Sequence, residues 1–200
     1  VVLTSDHGVS PIADPKASGK AQGGRSPLTL VTDTIQAALS SQYGAGKWVT
    51  GCWDVLVYLN RELIAEKKLD AAEVNRAAAE ALRKLPHMAR AYTREQLLDD
   101  KATWDKTGRL MKNGFNPERA ADVVFLPEPF WNFTSMATTH GTTYDYDTHV
   151  PLIFMGSGIR AGSYKAAARS NDVAPTLAEI LGVPKPNASV GRVLKEMFAQ

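Results

Sequence analysis

The chain has 200 residues, of which 44% are hydrophobic and 22% are charged, and its formal net charge is +2. This length suffices for one domain or for a core with a subdomain, and the charge is too small to indicate a nucleic-acid-binding module or an anionic membrane as partner. The sequence contains no run of about 18 apolar residues, so it predicts no transmembrane helix. The single cysteine, Cys52, excludes an internal disulfide, and we expect a packed thiol there rather than a nucleophile.

The first eight residues, Val-Val-Leu-Thr-Ser-Asp-His-Gly, predict a buried β-strand that delivers reactive side chains to its carboxyl end. Asp6 and His7 pair a hard oxygen with a borderline nitrogen, which suits a divalent metal, and Gly8 permits a sharp turn. The alternative is a strand-end turn in which Asp6 caps a loop and His7 is merely exposed. Because a core strand is the first element and no initiator methionine precedes it, we expect a fragment that lacks the N-terminal part.

Residues 9–28 predict a long basic surface loop, because prolines, glycines and serines interrupt the segment and three basic residues lie in it. Such a loop is either a functional rim or a mobile connection. A helix follows from about Leu28 to Gln42, and Gly44 ends it.

Residues 45–126 alternate strands and helices. We expect a strand at 53–60, a short helix at 63–67 and a longer helix from the Asp70 cap to Pro86. An edge strand at 88–93 follows, then a polar stretch with a short helix at 95–120 and a strand at 122–126. We predict an inserted α+β subdomain over 45–120, whose last strand can extend to 126, within a core of residues 1–44 and 121–200. For four aromatic residues we expect core packing rather than a stacking surface. They are Trp53, Trp104, Phe130 and Trp131.

The last third contains a second predicted buried strand, the apolar run Val150–Gly156. Ser170, Asn171 and Asp172 then offer N-caps for a helix that runs through Leu181 and ends at Gly182.

A glycine- and threonine-rich loop holds two of the four histidines, His140 and His149. The loop is either a hydrogen-bonded connection, with Asp145 and Asp147 accepting from turn amides, or a second source of metal ligands near Asp6 and His7. The remaining histidine, His87, follows a helix end without an acidic neighbour and is expected on the surface. No nucleophile elbow, phosphate loop or cysteine cluster is present, so the residues alone predict a divalent-metal site and no more.

Three motifs resemble the alkaline phosphatase superfamily, in particular bacterial alkaline phosphatases related to type I phosphodiesterases and nucleotide pyrophosphatases. They are Ser-Asp-His-Gly after an apolar strand, the stretch from His140 to Phe154, and Asn-Asp-Val-Ala-Pro-Thr-Leu-Ala-Glu-Ile-Leu-Gly-Val-Pro at 171–184. The resemblance covers residues 1–8 and 121–195. It implies an α/β fold with a mixed, largely parallel sheet flanked by helices, and a two-zinc site.

By this resemblance, Asp6 and His7 match ligands of the zinc nearest the nucleophile. His140 matches a ligand of the other zinc, which coordinates the attacking water, and is preferred to His149 because related phosphodiesterases carry the ligand in a His-Gly-Tyr-Asp arrangement. His149 is expected in the second coordination shell. The nucleophile, Thr or Ser, and the other ligands are expected upstream, so no catalytic nucleophile lies in this chain.

The resemblance implies zinc-dependent hydrolysis of small phosphate monoesters through a phosphoryl-enzyme intermediate, in the periplasm or outside the cell, by the complete protein. The fragment alone is expected to be inactive without its N-terminal part. The alternatives are a phosphodiesterase or nucleotide pyrophosphatase of the same superfamily, and a non-catalytic structural fragment. A sulfatase is disfavoured, because His7 suits zinc better than calcium.

Overall fold

The structure is a computed structural model that describes residues 1–12 and 23–199. Its strands are β1 (Val2–Thr4), β2 (Gly24–Ser26), β3 (Val49–Trp53), β4 (Leu56–Leu59), β5 (Met88–Thr93), β6 (Val123–Pro127), β7 (Trp131–Phe133) and β8 (Leu152–Phe154). Its α-helices are α1 (Thr29–Tyr43), α2 (Arg61–Glu66), α3 (Ala71–Arg83), α4 (Arg94–Leu98), α5 (Lys106–Asn113), α6 (Asp145–Thr148) and α7 (Val173–Leu181). Short 3₁₀ turns lie at Ser170–Asp172 and Lys195–Met197.

The chain forms two compact units. We call Val9–Thr148 the continuous unit, and Val1–Gly8 with His149–Gln200 the split unit. No helix among the described residues is long and apolar enough to cross a membrane.

The continuous unit is built on an antiparallel sheet of order β3-β4-β6-β5, against which α1 and α3 pack. Helix α3 begins where Asp70 Oδ1 accepts a hydrogen bond from Glu73 N at 3.0 Å, as the sequence predicts. Its apolar stripe faces the core because positions three and four residues apart share one helix face. The largest fully buried side chains include Val31, Ile35, Leu39, Trp48, Val74, Leu82 and Phe125.

The predicted strand at 53–60 is in fact the second half of a hairpin. Strands β3 and β4 pair with Trp53 opposite Leu56, and the chain turns at Asp54, whose φ is +53°. Aspartate tolerates this left-handed conformation better than most residues. The turn leaves Trp53 79% exposed, so the expectation that Trp53 packs into the core is wrong.

Part of the predicted basic loop is a strand, because Gly24–Ser26 pairs in parallel with β7. Residues 13–22 of that loop lie outside the described residues.

In the split unit, β1 pairs antiparallel with β8, with Leu3 opposite Ile153. Leu3 is 58% exposed and Ile153 is 53% exposed, so neither strand is buried in this chain, contrary to prediction. Among the described strands, β1 pairs with β8 alone. Helix α7 ends as predicted at Gly182, whose φ is +63°.

The predicted α/β class, with an α+β portion of strands and helices, is confirmed. The strand pairs formed within the described chain are antiparallel except for β2 with β7, so a largely parallel sheet is not formed by these pairs. Along the chain, the boundaries between the compact units fall at Gly8/Val9 and Thr148/His149. Within the continuous unit α1 packs on α3, and β6 pairs with both β4 and β5. The domain division of the complete protein stays a prediction.

Candidate functional site

Asp6 and His7 follow the carboxyl end of β1 and lie side by side. His7 Nε2 is 3.7 Å from Asp6 Oδ2, and the two side chains are 42% and 87% exposed, respectively. Two ligands of a tetrahedral zinc ion, each about 2.0 Å from the metal, lie about 3.3 Å apart. The observed separation is therefore close to what one shared ion requires.

Hydrogen bonds to the backbone fix the orientation of this pair. His7 Nδ1 is 2.6 Å from the carbonyl oxygen of Gly8. A carbonyl only accepts, so Nδ1 carries a proton and donates it to that oxygen, and Nε2 is the ring nitrogen that faces Asp6. Ser5 Oγ donates to the carbonyl oxygen of His7 at 2.7 Å and further braces the turn.

The Asp6 carboxylate is held in its ionised form. Its pKa is lowered, first by a hydrogen bond from its own backbone N–H and next by the nearby His7, and the His7 N–H also donates to Oδ1 at 3.1 Å. Hydrogen bonds to the charged form favour that form. The side chain is thus ready to act as an anionic ligand at neutral pH.

His140 lies in the continuous unit, in an exposed loop that precedes α6. The next residue, Gly141, has a φ of +99°, which other residues rarely adopt. A Cβ at Gly141 would lie 2.3 Å from Asp54 Oδ2, so the Asp54 carboxylate packs directly against the loop backbone beside His140. The glycine is therefore required both for the turn and for this close approach.

The buried carboxylate of Asp147 anchors the same loop. Its Oδ2 accepts from Thr142 N at 2.7 Å and from Thr142 Oγ1 at 2.5 Å. Asp147 is 4% exposed, and its Oδ1 is buried without a hydrogen-bond partner among the described residues. The interpretation of Asp147 as an acceptor for turn amides is confirmed, whereas Asp145 lies on the surface, 3.3 Å from Lys106 Nζ.

Tyrosine and serine contacts add to the anchoring of this loop. Tyr144 donates its hydroxyl proton to the Pro127 carbonyl at 2.7 Å, and burial raises the pKa of Tyr144 to about 12. Val9 N donates to the Tyr146 carbonyl at 3.1 Å, and Ser10 N donates to the Thr139 carbonyl at 2.9 Å. The backbone that carries His140 is therefore held along much of its length.

A cavity of about 260 Å³ opens beside His140 within the continuous unit. Phe125 and Phe133 form a buried floor, and the exposed side chains of Trp53 and Met136 form part of its rim. Burial raises the pKa of Asp54, which also lines the cavity, while the nearby His140 opposes that rise. The Asp54 residue as a whole is exposed at the hairpin turn, while its carboxylate lies against Gly141.

The structure brings Asp6 and His7 together, and it places His140 in the other compact unit. His149, the candidate for the second coordination shell, is exposed between α6 and β8. Among the described residues, no three histidine, cysteine, aspartate or glutamate side chains are grouped so that they could hold a metal ion. Asp6 and His7 would supply two ligands, fewer than the three or four that metal sites in proteins generally need.

Two expectations about other reactive residues have clear outcomes. Burial raises the pKa of Cys52 to about 12, which fits a packed thiol rather than a nucleophile. His87 does have an acidic partner, because its Nδ1 is 2.9 Å from Glu128 Oε2 and its ring stacks on Trp131. The sequence did not predict this pair, because 41 positions separate the two residues.

Sequence reasoning missed Asp54 and the cavity. The residue lay inside what was predicted as one continuous strand, and only the hairpin turn brings it to His140. An aspartate inside an apolar run was the available signal, because aspartate is depleted in strands and common in turns.

Comparison with known proteins shows extensive similarity over nearly the whole chain. It is 29% identical over 203 residues to a protein described as a calcium-transporting ATPase of Myroides odoratus, covering 99% of this chain and 36% of that protein. It is 25% identical over 206 residues to the alkaline phosphatase PafA of Elizabethkingia meningoseptica, covering 100% of this chain and 37% of PafA. No family model matches the chain.

Solved structures show the same fold. Wild-type PafA aligns with a TM-score of 0.84 at 24% identity, covering 99% of this chain and 38% of PafA. Human ectonucleotide pyrophosphatase/phosphodiesterase 5 aligns with a TM-score of 0.60 at 15% identity, covering 100% of this chain and 45% of that protein. The chain therefore spans little more than a third of the length of the curated relatives it matches.

Proposed function

The chain belongs to the alkaline phosphatase superfamily, and on that premise we propose that it is the C-terminal part of a zinc-dependent enzyme that hydrolyses phosphate monoesters through a phosphoryl-enzyme intermediate. The observation that carries this proposal is the Asp6–His7 pair at the end of β1, with the two side chains 3.7 Å apart. In this proposal the nucleophile, Thr or Ser, belongs to the upstream part of the enzyme.

The donor set at the end of β1 fits zinc. A carboxylate and an imidazole are both common zinc ligands, and the contact of His7 Nδ1 with the Gly8 carbonyl leaves Nε2 facing Asp6. Zinc bound there would stabilise negative charge on the oxygens of the reacting phosphoryl group. Asp6 and His7 would hold one ion, and His140 would contribute to the second.

The loop anchors are consistent with a ligand role for His140. Metal-binding histidines need a fixed ring position, which neighbouring groups outside the coordination sphere provide. Asp147 ties the loop down through Thr142, and the Asp54 carboxylate packs against Gly141. His149 follows α6, and we propose that it acts outside the coordination sphere.

A phosphodiesterase is the second candidate, favoured by the fold that the chain shares with human ectonucleotide pyrophosphatase/phosphodiesterase 5. Enzymes of the two kinds share zinc ligands in our proposal and differ in the groups that recognise the phosphate substituents. A non-catalytic role and a location in the periplasm or outside the cell also stay predictions.

The test is substrate turnover by the complete protein. We expect kcat/KM for a phosphate monoester to exceed that for the diester with the same leaving group by orders of magnitude, and a zinc chelator to abolish both activities. Preference for the diester would overturn the monoesterase assignment in favour of the second candidate. Turnover of neither ester would support the non-catalytic reading.

A pair of histidine variants tests the ligand assignment. We expect His140→Ala to lower kcat/KM by at least about 100-fold, because loss of even an outer-shell partner typically costs 10–100-fold. His149→Ala is the matched variant and should cost less than His140→Ala. The reverse order would assign the ligand role to His149.

A further inference from the structure

The cavity beside His140 has no part in the chemistry described so far. It measures about 260 Å³ and is lined mainly by apolar side chains, among them Trp53, Phe125, Phe133 and Met136. Cavities of about 150 Å³ with an apolar lining admit benzene, and sites for drug-sized ligands begin at about 300 Å³. Its size therefore suits one aromatic ring.

The charges around the cavity show which part of a phosphate ester it suits. Among its described lining residues there is no lysine or arginine, and Asp54 supplies a carboxylate. A phosphoryl group, which carries negative charge, would be repelled by such a surface. The cavity is instead suited to the uncharged organic part of the ester.

The lining favours an aromatic group over an aliphatic chain. Phe125 and Phe133 form an edge-to-face pair, with ring centroids 5.8 Å apart and planes at 85°. An aromatic ring of a ligand can make further edge-to-face or offset-stacked contacts with such a pair, and these contacts are favourable. Trp53 is 79% exposed at the hairpin turn and offers a further ring at the rim.

The position of the cavity relates it to the leaving group. In two successive in-line displacements at one phosphorus, the alcohol departs from the face that water later attacks. The superfamily resemblance assigns His140 to the metal on that face, and His140 lines the cavity. This step rests on the function proposed above.

We propose that the cavity lined by Trp53, Phe125, Phe133 and Met136 binds the aryl group of aryl phosphate esters on the leaving-group face of the active site. It makes the enzyme selective for esters of aromatic alcohols over esters of small aliphatic alcohols. Trp53 and Met136 are specificity-determining residues in this proposal.

The test measures binding of two non-hydrolysable probes, phenylphosphonate and methylphosphonate, to the complete zinc-loaded protein by isothermal titration calorimetry. These probes have no leaving group, so differences in leaving-group chemistry do not enter. We expect phenylphosphonate to bind about tenfold more tightly than methylphosphonate, because the cavity buries most of one face and one edge of the phenyl ring. Trp53→Ala and Met136→Ala should each reduce that preference severalfold.

The matched control is Leu98→Ala, which truncates a 42% exposed leucine of α4 that does not line the cavity. It should keep the full preference for phenylphosphonate. Because Trp53 and Met136 are 79% and 60% exposed, their truncation leaves the buried core intact. Equal affinity of the wild type for both probes, or an unchanged preference in both cavity variants, would overturn the proposal.

Hydrolysis of methyl phosphate separates this inference from the proposed function, because a methyl group does not need the cavity. An enzyme that hydrolyses methyl phosphate but binds both phosphonates equally keeps the proposed function and refutes the aryl cavity. An enzyme that hydrolyses neither methyl phosphate nor phenyl phosphate refutes both.

Discussion

In the continuous unit large apolar side chains such as Trp48 and Phe125 are fully buried, whereas the two strands of the split unit expose Leu3 and Ile153 by more than half. The buried apolar residues of the split unit are few, namely Pro175, Ala178, Leu194 and Met197 among the described residues. Yet the split unit carries Asp6 and His7. The difference indicates that stability resides mainly in the continuous unit, and that the proposed metal ligands lie on a part of the chain with a small core of its own.

A matched pair of leucine truncations tests this contrast most strongly. Leu82 on α3 is fully buried, and Leu82→Ala should lower the free energy of unfolding by about 2–5 kcal/mol, because it leaves a cavity. Leu181 on α7 is 69% exposed, and Leu181→Ala should change it by no more than about 0.5 kcal/mol. Urea denaturation of both variants measures this, and equal losses would refute the contrast.

Removal of an ion-pairing carboxylate should also lower the free energy of unfolding more in the continuous unit than in the split unit. Asp122 is 4% exposed, its Oδ1 lies 2.7 Å from Arg61 Nη2, and its Oδ2 accepts from Leu59 N at 2.9 Å. Asp122→Ala leaves that buried N–H unpaired and should cost about 1–3 kcal/mol. Glu196→Gln removes the charge of an exposed pair with Arg192 in the split unit and should cost much less. Urea denaturation measures both losses in the free energy of unfolding, and an equal loss in the two variants would contradict this expectation.

Much of the continuous unit could be predicted from the sequence, because its helices follow apolar periodicity and local caps. Helix α3 with its Asp70 cap and the buried strand β6 are examples. The hairpin turn at Asp54 and the pairing of His87 with Glu128 could not be predicted, since they depend on contacts distant in sequence. The exposure of Leu3 was also beyond prediction, because an apolar pattern does not show whether another element covers a strand.

Of the candidate site, the sequence predicted the neighbouring Asp6 and His7 and their place at a strand end, because both are local features, and their role as metal ligands stays a prediction. The orientation of His7 by the Gly8 carbonyl and the approach of Asp54 to Gly141 are three-dimensional details. Neither contact could be predicted without atomic positions.

Gly141 tests whether the backbone beside His140 depends on the close approach of Asp54. Gly141→Ala should lower the free energy of unfolding by about 1–3 kcal/mol, because its φ of +99° strains any other residue. The same change in an Asp54→Ala background should cost less, since the clash at 2.3 Å from Oδ2 is relieved. Additive losses in this double-mutant cycle would show that the two residues do not interact.

The smallest expected effect is a pH dependence from Tyr144. Its pKa is raised to about 12 by burial, from an ordinary value of 10.0. The stability gained from the neutral hydroxyl is therefore fully present below pH 10 and is lost as the pH rises through 12. Tyr144→Phe should show a smaller fall in thermal midpoint than the wild type across that window. Identical slopes would mean that Tyr144 does not contribute to the alkaline loss of stability.

The central claim is that Asp6 and His7 bind zinc, and the zinc content of the complete protein tests it most directly. The wild type should contain two zinc ions per chain by elemental analysis after dialysis, and Asp6→Ala and His7→Ala should each lose at least one. His87→Ala, which truncates a histidine paired with Glu128, is the matched control and should retain both ions. Full zinc content in His7→Ala, or calcium in place of zinc in the wild type, would contradict the account.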